Sequence, residues 1–306
     1  MVKFIHPSQL VYIQVSKPMT EHFSGGDEKT AAKLVSHEEY LDVYTTILDI
    51  HWDTGLWYID THAGTGKTIV NDNGLTIDGS AIQAIENYSD YFERFYLYEL
   101  SEDHFHKLHE TLADRFRLEF DVYETPSEDH DFLVAACDNP YIRIMQMDSN
   151  EGVNFLAEHS RSNPHWFAFI DPKGLTAKRS TLDTLLERGN VDILLNYQST
   201  GVMRSAAAEH SRDAVRRTMG DDEWPRAGSA EEYVQLFKEK LDENRAIRPV
   251  LTKDLVSPHD ERCRFDLVFA CKNDGARNAM EDIMNQDTLW EKASNRMGQS
   301  GLGDFV

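Results

Sequence analysis

Short apolar runs bounded by polar turns recur along the first two-thirds of the chain. They are LWYID (56–60), RFYLYEL (94–100), YIRIMQM (141–147), HWFAFID (165–171) and VDILLNY (191–197). Apolar residues on both faces are the mark of strands covered on each side. Segments with helical spacing lie between them: DGSAIQAIENYSDYF (78–92), SEDHFHKLHETLADRF (101–116), NEGVNFLAEHS (151–160) and STLDTLLERG (180–189). Residues 27–52 carry Leu34, Tyr40, Val43, Tyr44, Ile47 and Leu48 along one side and predict a helical lead-in to the first strand. Regular alternation of strand and helix predicts an α/β fold with a doubly wound, mostly parallel, Rossmann-like sheet.

Beyond 197 the pattern changes. Residues 199–245 read as a helical insertion, followed by two strand candidates at 248–256 and 263–272. The short SPHDER connection between these strands favours antiparallel pairing at the sheet edge, giving about seven strands in all. A final helix (275–294) precedes a glycine-rich tail (295–306) that reads as frayed and flexible. There is no internal repeat and no low-complexity linker, so the expectation is a single domain over 1–306.

Composition narrows the class of protein. With 41% hydrophobic residues the chain can bury a core. No apolar stretch approaches the roughly 18–20 residues of a membrane span, and the N-terminus lacks a signal-peptide pattern. Cys137, Cys263 and Cys271 are odd in number and lack CxxC spacing, which argues against a disulfide framework and against a zinc site. A reduced, cytoplasmic, metal-free protein without a membrane partner is expected. The net charge of −22 would repel nucleic acid at ordinary ionic strength. Acids spread along the whole chain, with only 13 lysines, instead favour adaptation to high salt. On that reading, net charge says little about substrate.

The chemistry centres on YIDTHAGTGKT (58–68). A phosphate-binding loop of the form GxxxxGK[ST] matches its last three positions, with Asp171 available as the metal-binding acid. However, Thr61 replaces the leading glycine, and the turn-rich IVNDNGLTIDGS follows where a helix should start. The competing reading is a nucleoside-cofactor turn at the carboxyl ends of parallel strands. Asp60 ends the first strand, and Ala63, Gly64 and Gly66 form the turn. Glu99 ends the second strand, where it can accept both ribose hydroxyls. Asp148 follows the third strand, placed for an adenine amino group, and Asp171-Pro172 closes the fourth, where the reacting group should sit. Each acid alone is more often a cap or turn former. Their order and strand context together favour an S-adenosylmethionine site.

These residues resemble the three-Cys-motif partner proteins, a family with a methyltransferase-like Rossmann fold. YIDTHAGTGKT is similar to that family's Y-x-D-x-x-A-G-x-G segment, and GLTIDGSAIQAI to its following G-S-P segment, with Ala81 in place of proline. FAFIDPKG, VDILLNYQSTGVMR, GDDEW and FDLVFACKNDGARNAMEDIM resemble its later motifs, so the likeness covers most of the chain. The resemblance implies a methyltransferase fold and a separate three-cysteine iron–sulfur partner protein. It supplies no substrate.

Base-directed amino-methylating enzymes often carry [DNS]-P-P-[FYW] after the fourth strand; DPKG (171–174) keeps only the acid and the first proline. Asp171 is read as the residue that positions the acceptor, with helix capping as its plainer role. His62 reads as a solvent-facing loop residue, and His104, His106 and His109 as surface or packing residues without helical metal-site spacing. Arg204, Arg212, Arg216 and Arg217 suit a salt-bridged helix or a phosphate-facing patch, and Trp224 an anchor or a lid. Three functions stay open: an active methyltransferase acting on nucleic acid or protein, a catalytically idle cofactor-binding partner subunit, and an ATPase working through THAGTGKT.

Overall fold

The computed structural model describes residues 24–25, 28–51, 55–69, 76–126, 131–160, 162–222, 224–243, 250–256, 264–285 and 288–299. In chain order the elements are β1 (Ser24–Gly25), α1 (Glu28–His51), β2 (Leu56–Asp60), β3 (Lys67–Ile69), β4 (Thr76–Asp78), α2 (Ser80–Tyr88), β5 (Phe92–Glu99), α3 (Glu102–Phe116), β6 (Asp121–Pro126), β7 (Asp131–Asp138), β8 (Tyr141–Gln146) and α4 (Ser149–His159). They continue with β9 (His165–Ile170), α5 (Arg179–Arg188), β10 (Val191–Tyr197), α6 (Ser199–Ala207), α7 (Arg212–Met219), α8 (Ala230–Asp242), β11 (Val250–Val256), β12 (Arg264–Ala270), α9 (Asp274–Met284) and α10 (Leu289–Gln299).

Nine strands form the main sheet in the order β11-β12-β10-β9-β2-β5-β8-β7-β6. The five central strands, β10-β9-β2-β5-β8, pair in parallel. This is the doubly wound, Rossmann-like architecture expected, with β12 inserted antiparallel between β10 and β11. The opposite edge differs from expectation: an antiparallel hairpin, β6–β7, widens the sheet beyond β8.

Every residue of β2, β9 and β10 is buried, because helices cover both faces. Alternate side chains divide between two cores. Tyr58, Phe95, Phe167 and Phe269 point to the face covered by α1, α2, α3, α9 and α10. Trp57, Tyr96, Trp166 and Val268 point to the face covered by α4 to α8. Trp57 and Trp166 stack at 5.9 Å across β2 and β9, and Tyr197 stacks on Phe237 of α8 at 4.3 Å. The helices between 199 and 242 therefore pack onto the sheet itself. Trp224 lies buried in that second core, as an anchor and not as a lid.

Two boundaries differ from the sequence pattern. The final helical stretch is broken into α9 and α10, and α10 runs on to Gln299, five residues into the expected tail. Residues 300–306 of that tail, and Cys263, lie outside the described residues. Cys137 and Cys271 are free and buried. Among the described residues no helix is long and apolar enough to cross a membrane.

Candidate functional site

The site is built where the central strands end. After β2 the chain turns sharply, and the turn is tied to both neighbouring strands: Thr61 N–H donates to the Phe169 carbonyl of β9 (3.1 Å), and Ala63 N–H to the Tyr98 carbonyl of β5 (3.0 Å). Gly66 has φ +80°, and a Cβ there would meet Leu108 and Ile82 at 3.2 and 3.3 Å. The position demands glycine on both counts. The chain then enters β3, which pairs antiparallel with β4; Gly79 N–H closes the hairpin on the Gly66 carbonyl at 2.7 Å. No helix begins behind Gly66-Lys67-Thr68, so the turn lacks the helix N-terminus that a phosphate loop aims at its ligand.

At the end of β5, Glu99 accepts from the backbone N–H groups of Gly64 (3.0 Å) and Ser101 (2.9 Å). The acid therefore fixes the glycine turn and the start of α3 together, with lone pairs still free for a ligand. Leu100, beside it, is 64% exposed, a large loss for an apolar side chain unless something covers it. At the end of β8, Asp148 caps α4, accepting from Asn150 N–H (2.8 Å) and the Asn150 side-chain amide (2.7 Å), with Lys178 Nζ 3.5 Å from its other oxygen. Burial alone would raise the Asp148 pKa, but these donors and the Lys178 charge hold it below the usual carboxylate range. Asn150 also donates to the Thr176 carbonyl and accepts from Lys178 N–H and the Thr181 hydroxyl, pinning the 172–178 loop to α4.

At the end of β9, both oxygens of Asp171 accept from Lys33 Nζ (2.7 and 2.6 Å), and one also accepts from the Asn196 amide (2.7 Å). Burial works against its ionisation, yet Lys33 and Asn196 outweigh it and lower the pKa. The next carbonyl, that of Pro172, accepts from Gln198 Nε2 at 2.7 Å. Helix α5 starts only at Arg179, so Asp171 is not its cap. The atoms that would receive hydrogen bonds from an amine acceptor thus already have internal donors.

Ala63, Gly64, Gly66, Glu99, Asp148, Asp171 and Pro172 all line one cavity of about 840 Å³, within the range of small-molecule and cofactor sites. Asp60 stands apart. It is fully buried behind the turn, accepting from Ser80 Oγ (2.5 Å), His62 N–H (3.1 Å) and the Tyr58 hydroxyl (3.3 Å). Burial pushes its carboxyl up to about 7. It shapes the turn without reaching the cavity.

His62 corrects a second expectation. It faces the cavity and not bulk solvent, with Nδ1 2.7 Å from the Thr61 hydroxyl and Nε2 3.1 Å from that of Thr176. Burial lowers its pKa to about 4, against the pull of Asp171 and Asp148, so it is neutral at pH 7. His104 also lines the cavity, its Nδ1 3.7 Å from Glu99, whereas His109 packs edge-on against Phe120. Lys33, Leu100, Asn150 and Gln198 line the cavity and Asn196 braces Asp171, none of them singled out by the sequence pattern, whereas Arg217, which also lines it, is one of the arginines read as salt-bridged or phosphate-facing. The polar pair flanking Tyr197, at the end of a strand apolar apart from Asp192 and Asn196, was the one available signal, for Asn196 and Gln198.

No protein-family model matches the chain, and no curated protein matches it. Similar solved structures include Trm1 from Pyrococcus horikoshii in complex with S-adenosyl-L-methionine, at 14% identity and a TM-score of 0.44, covering 89% of this chain. The chain spans 61% of the length of that protein. Others are protein LPL1258 from Legionella pneumophila (14% identity, TM-score 0.48, covering 86% of this chain and 94% of that one) and the plantazolicin methyltransferase BpumL in complex with S-adenosylhomocysteine (10% identity, TM-score 0.40, covering 80% and 86%). Likeness this distant assigns no activity, so the reading of function rests on the chain's own site.

Proposed function

We propose that the cavity holds S-adenosylmethionine and that the protein is methyltransferase-like. One observation carries this reading: a glycine turn and the ends of β5, β8 and β9, each marked by an acid, line the same cavity. In this assignment Glu99 accepts from the ribose hydroxyls. Asp148 accepts from the adenine amino group, and Leu100 covers the base. Ala63, Gly64 and Gly66 allow close backbone approach, and Asp60 holds their turn in shape through His62 and Ser80. Asp171 and Pro172 face the acceptor. When bound, the cofactor would supply an electrophilic methyl group; the residues named bind and orient the two substrates.

Titration calorimetry with S-adenosylmethionine, S-adenosylhomocysteine and magnesium–ATP tests this assignment, run at both 0.15 M and molar KCl because the chain is strongly acidic. Saturable binding of the sulfonium pair alone supports it. Binding of ATP alone sinks it.

A second reading is favoured by the ties on Asp171 and Pro172. With Lys33, Asn196 and Gln198 satisfying both groups, the chain can serve as a cofactor-binding subunit without turnover of its own. The resemblance to three-Cys-motif partner proteins supports that form, in a cytoplasmic complex with an iron–sulfur protein. Methyl-donor binding with no transfer to any nucleic acid or protein offered, alone or with that partner, would favour it over an active enzyme.

A further inference from the structure

The charge inside the cavity is opposite to that of the chain. Its walls carry Lys33, Lys67, Lys173, Lys178 and Arg217 against Glu99, Asp148 and Asp171, in a protein of net charge −22. The internal pairings are unequal. Lys33 is held by Asp171 and Lys178 by Asp148, while Glu99 is satisfied by backbone N–H groups. Lys67, Lys173 and Arg217 have no ion-pair partner among the described residues, although acids are abundant everywhere else. Lys173 follows Pro172 directly, and Arg217 lines the same cavity from α7, so two of these cations reach it from separate elements.

A sulfonium donor is itself cationic overall and cannot balance this excess. The excess favours a second ligand that brings negative charge. We infer that the methyl acceptor is a small anionic molecule whose phosphate or carboxylate group is bound by Lys173 and Arg217. This deepens the proposed function and rests on the donor site for the acceptor role, though not for anion binding. Arginine offers a planar fork to an oxyanion and lysine a mobile point charge. Small size follows from the setting of the cations. Both are exposed at the cavity lining, and at 0.15 M salt the strongly acidic chain around them repels an extended polyanion. A compact anion that enters the cavity meets the local field alone.

The test uses the full chain at 0.15 M KCl, loaded with S-adenosylhomocysteine, and reads binding of pyrophosphate, of citrate and of a single-stranded ten-nucleotide DNA. Arg217→Gln and Lys173→Gln should each weaken binding of pyrophosphate or citrate at least tenfold. Arg204→Gln makes the same charge change on the insertion outside the cavity and should weaken it less than twofold. The tighter of the two small anions identifies the group as phosphate or carboxylate. The inference is overturned if neither anion binds, or if Arg204→Gln matches Arg217→Gln. It is also overturned if the oligonucleotide binds tighter than either anion with the same dependence on Lys173 and Arg217. Parallel titration with S-adenosylhomocysteine separates the two claims: intact donor binding without anion binding defeats only this inference, and anion binding without donor binding defeats only the donor assignment.

Discussion

Lys33, in the first turns of α1, places its ammonium 2.7 and 2.6 Å from the two carboxylate oxygens of Asp171 at the end of β9. The side chains are 11% and 26% exposed, so the pair is largely withdrawn from water. Removing the cation with Lys33→Met strands a carboxylate whose pKa the pair had lowered, at an expected cost of about 1–3 kcal/mol near pH 7. Because the native pKa of Asp171 is depressed, the wild-type advantage exists above the unfolded carboxylate pKa and disappears as pH falls through the native value. Guanidinium denaturation of both proteins at pH 7 and pH 3 measures it. An equal difference at the two pH values would show that the lost stability was packing and not charge.

Glu99→Ala should weaken S-adenosylhomocysteine binding at least tenfold, since it removes the ribose acceptor and frees the N–H groups of Gly64 and Ser101. That corresponds to about 1.4 kcal/mol or more, up to about 3 kcal/mol. Calorimetry decides it, with circular dichroism to confirm that the turn still folds. Binding at wild-type strength would remove Glu99 from the site.

Two glycines with nearly the same backbone angle should respond differently to alanine. Gly66 (φ +80°) is crowded by Leu108, Ile82 and Thr111, whereas Gly174 (φ +79°) has nothing within 4 Å of the added methyl. Gly174→Ala should cost only the left-handed backbone term, about 1–2 kcal/mol. Gly66→Ala should cost more and weaken donor binding as well. Urea midpoints for the two variants make the comparison, and equal losses would count against crowding at Gly66.

Asp192 is buried beneath α1 and accepts from the Tyr40 hydroxyl at 2.7 Å. Burial pushes its carboxyl up to about 7, partly opposed by that hydrogen bond. An acid whose native pKa is raised binds protons more tightly when folded, so wild-type stability falls as pH rises between about 4 and about 7. Relative to Asp192→Asn, which does not titrate, the wild type should lose a few kcal/mol across that window and nothing further above it. Denaturation series of the two proteins at pH 5, 6, 7 and 8 check the slope.

The net charge of −22 makes the unfolding temperature salt-dependent. The screening length falls from about 10 Å at 0.1 M to about 3 Å at 1 M. The midpoint should therefore rise steadily through molar KCl, as it would for a salt-adapted chain. A flat calorimetric profile would mean that the acids are already balanced by local pairing.

The central sheet was legible because β2, β9 and β10 are buried on both faces, which leaves nearly unbroken apolar runs in the sequence. The β6–β7 hairpin was not, because its strands alternate with acids such as Asp121, Glu124 and Asp138 at a solvent-facing edge, a pattern shared with loops. Glu99, Asp148 and Asp171 could be found by position, since each directly follows or ends an apolar run. Lys33 could not, because it reaches the cavity from a helix far away in sequence and nothing local distinguishes it from other helical cations. Arg217 was named with its neighbours as salt-bridged or phosphate-facing, but local sequence does not say which of those arginines lines the cavity. Asp60 was placed correctly along the chain, but burial behind the turn depends on Ser80 and Tyr58 closing over it, a contact that spacing does not encode.

Helix α10 holds α1 in place: Leu289 and Ala293 join its core, Lys292 pairs with Glu39, and Arg296 lies 2.9 Å from Glu38. The element that delivers Lys33 to Asp171 is thus clasped by residues translated more than two hundred positions later. On the ribosome, the strands that frame the cavity emerge and can pair well before that clasp exists. Helix α1 is also tied to the strands directly, through His37 to Tyr58, Tyr40 to Asp192 and Tyr44 to His165, so the late clasp from residues 289–296 reinforces a placement of the Lys33 ammonium that the sheet itself also holds.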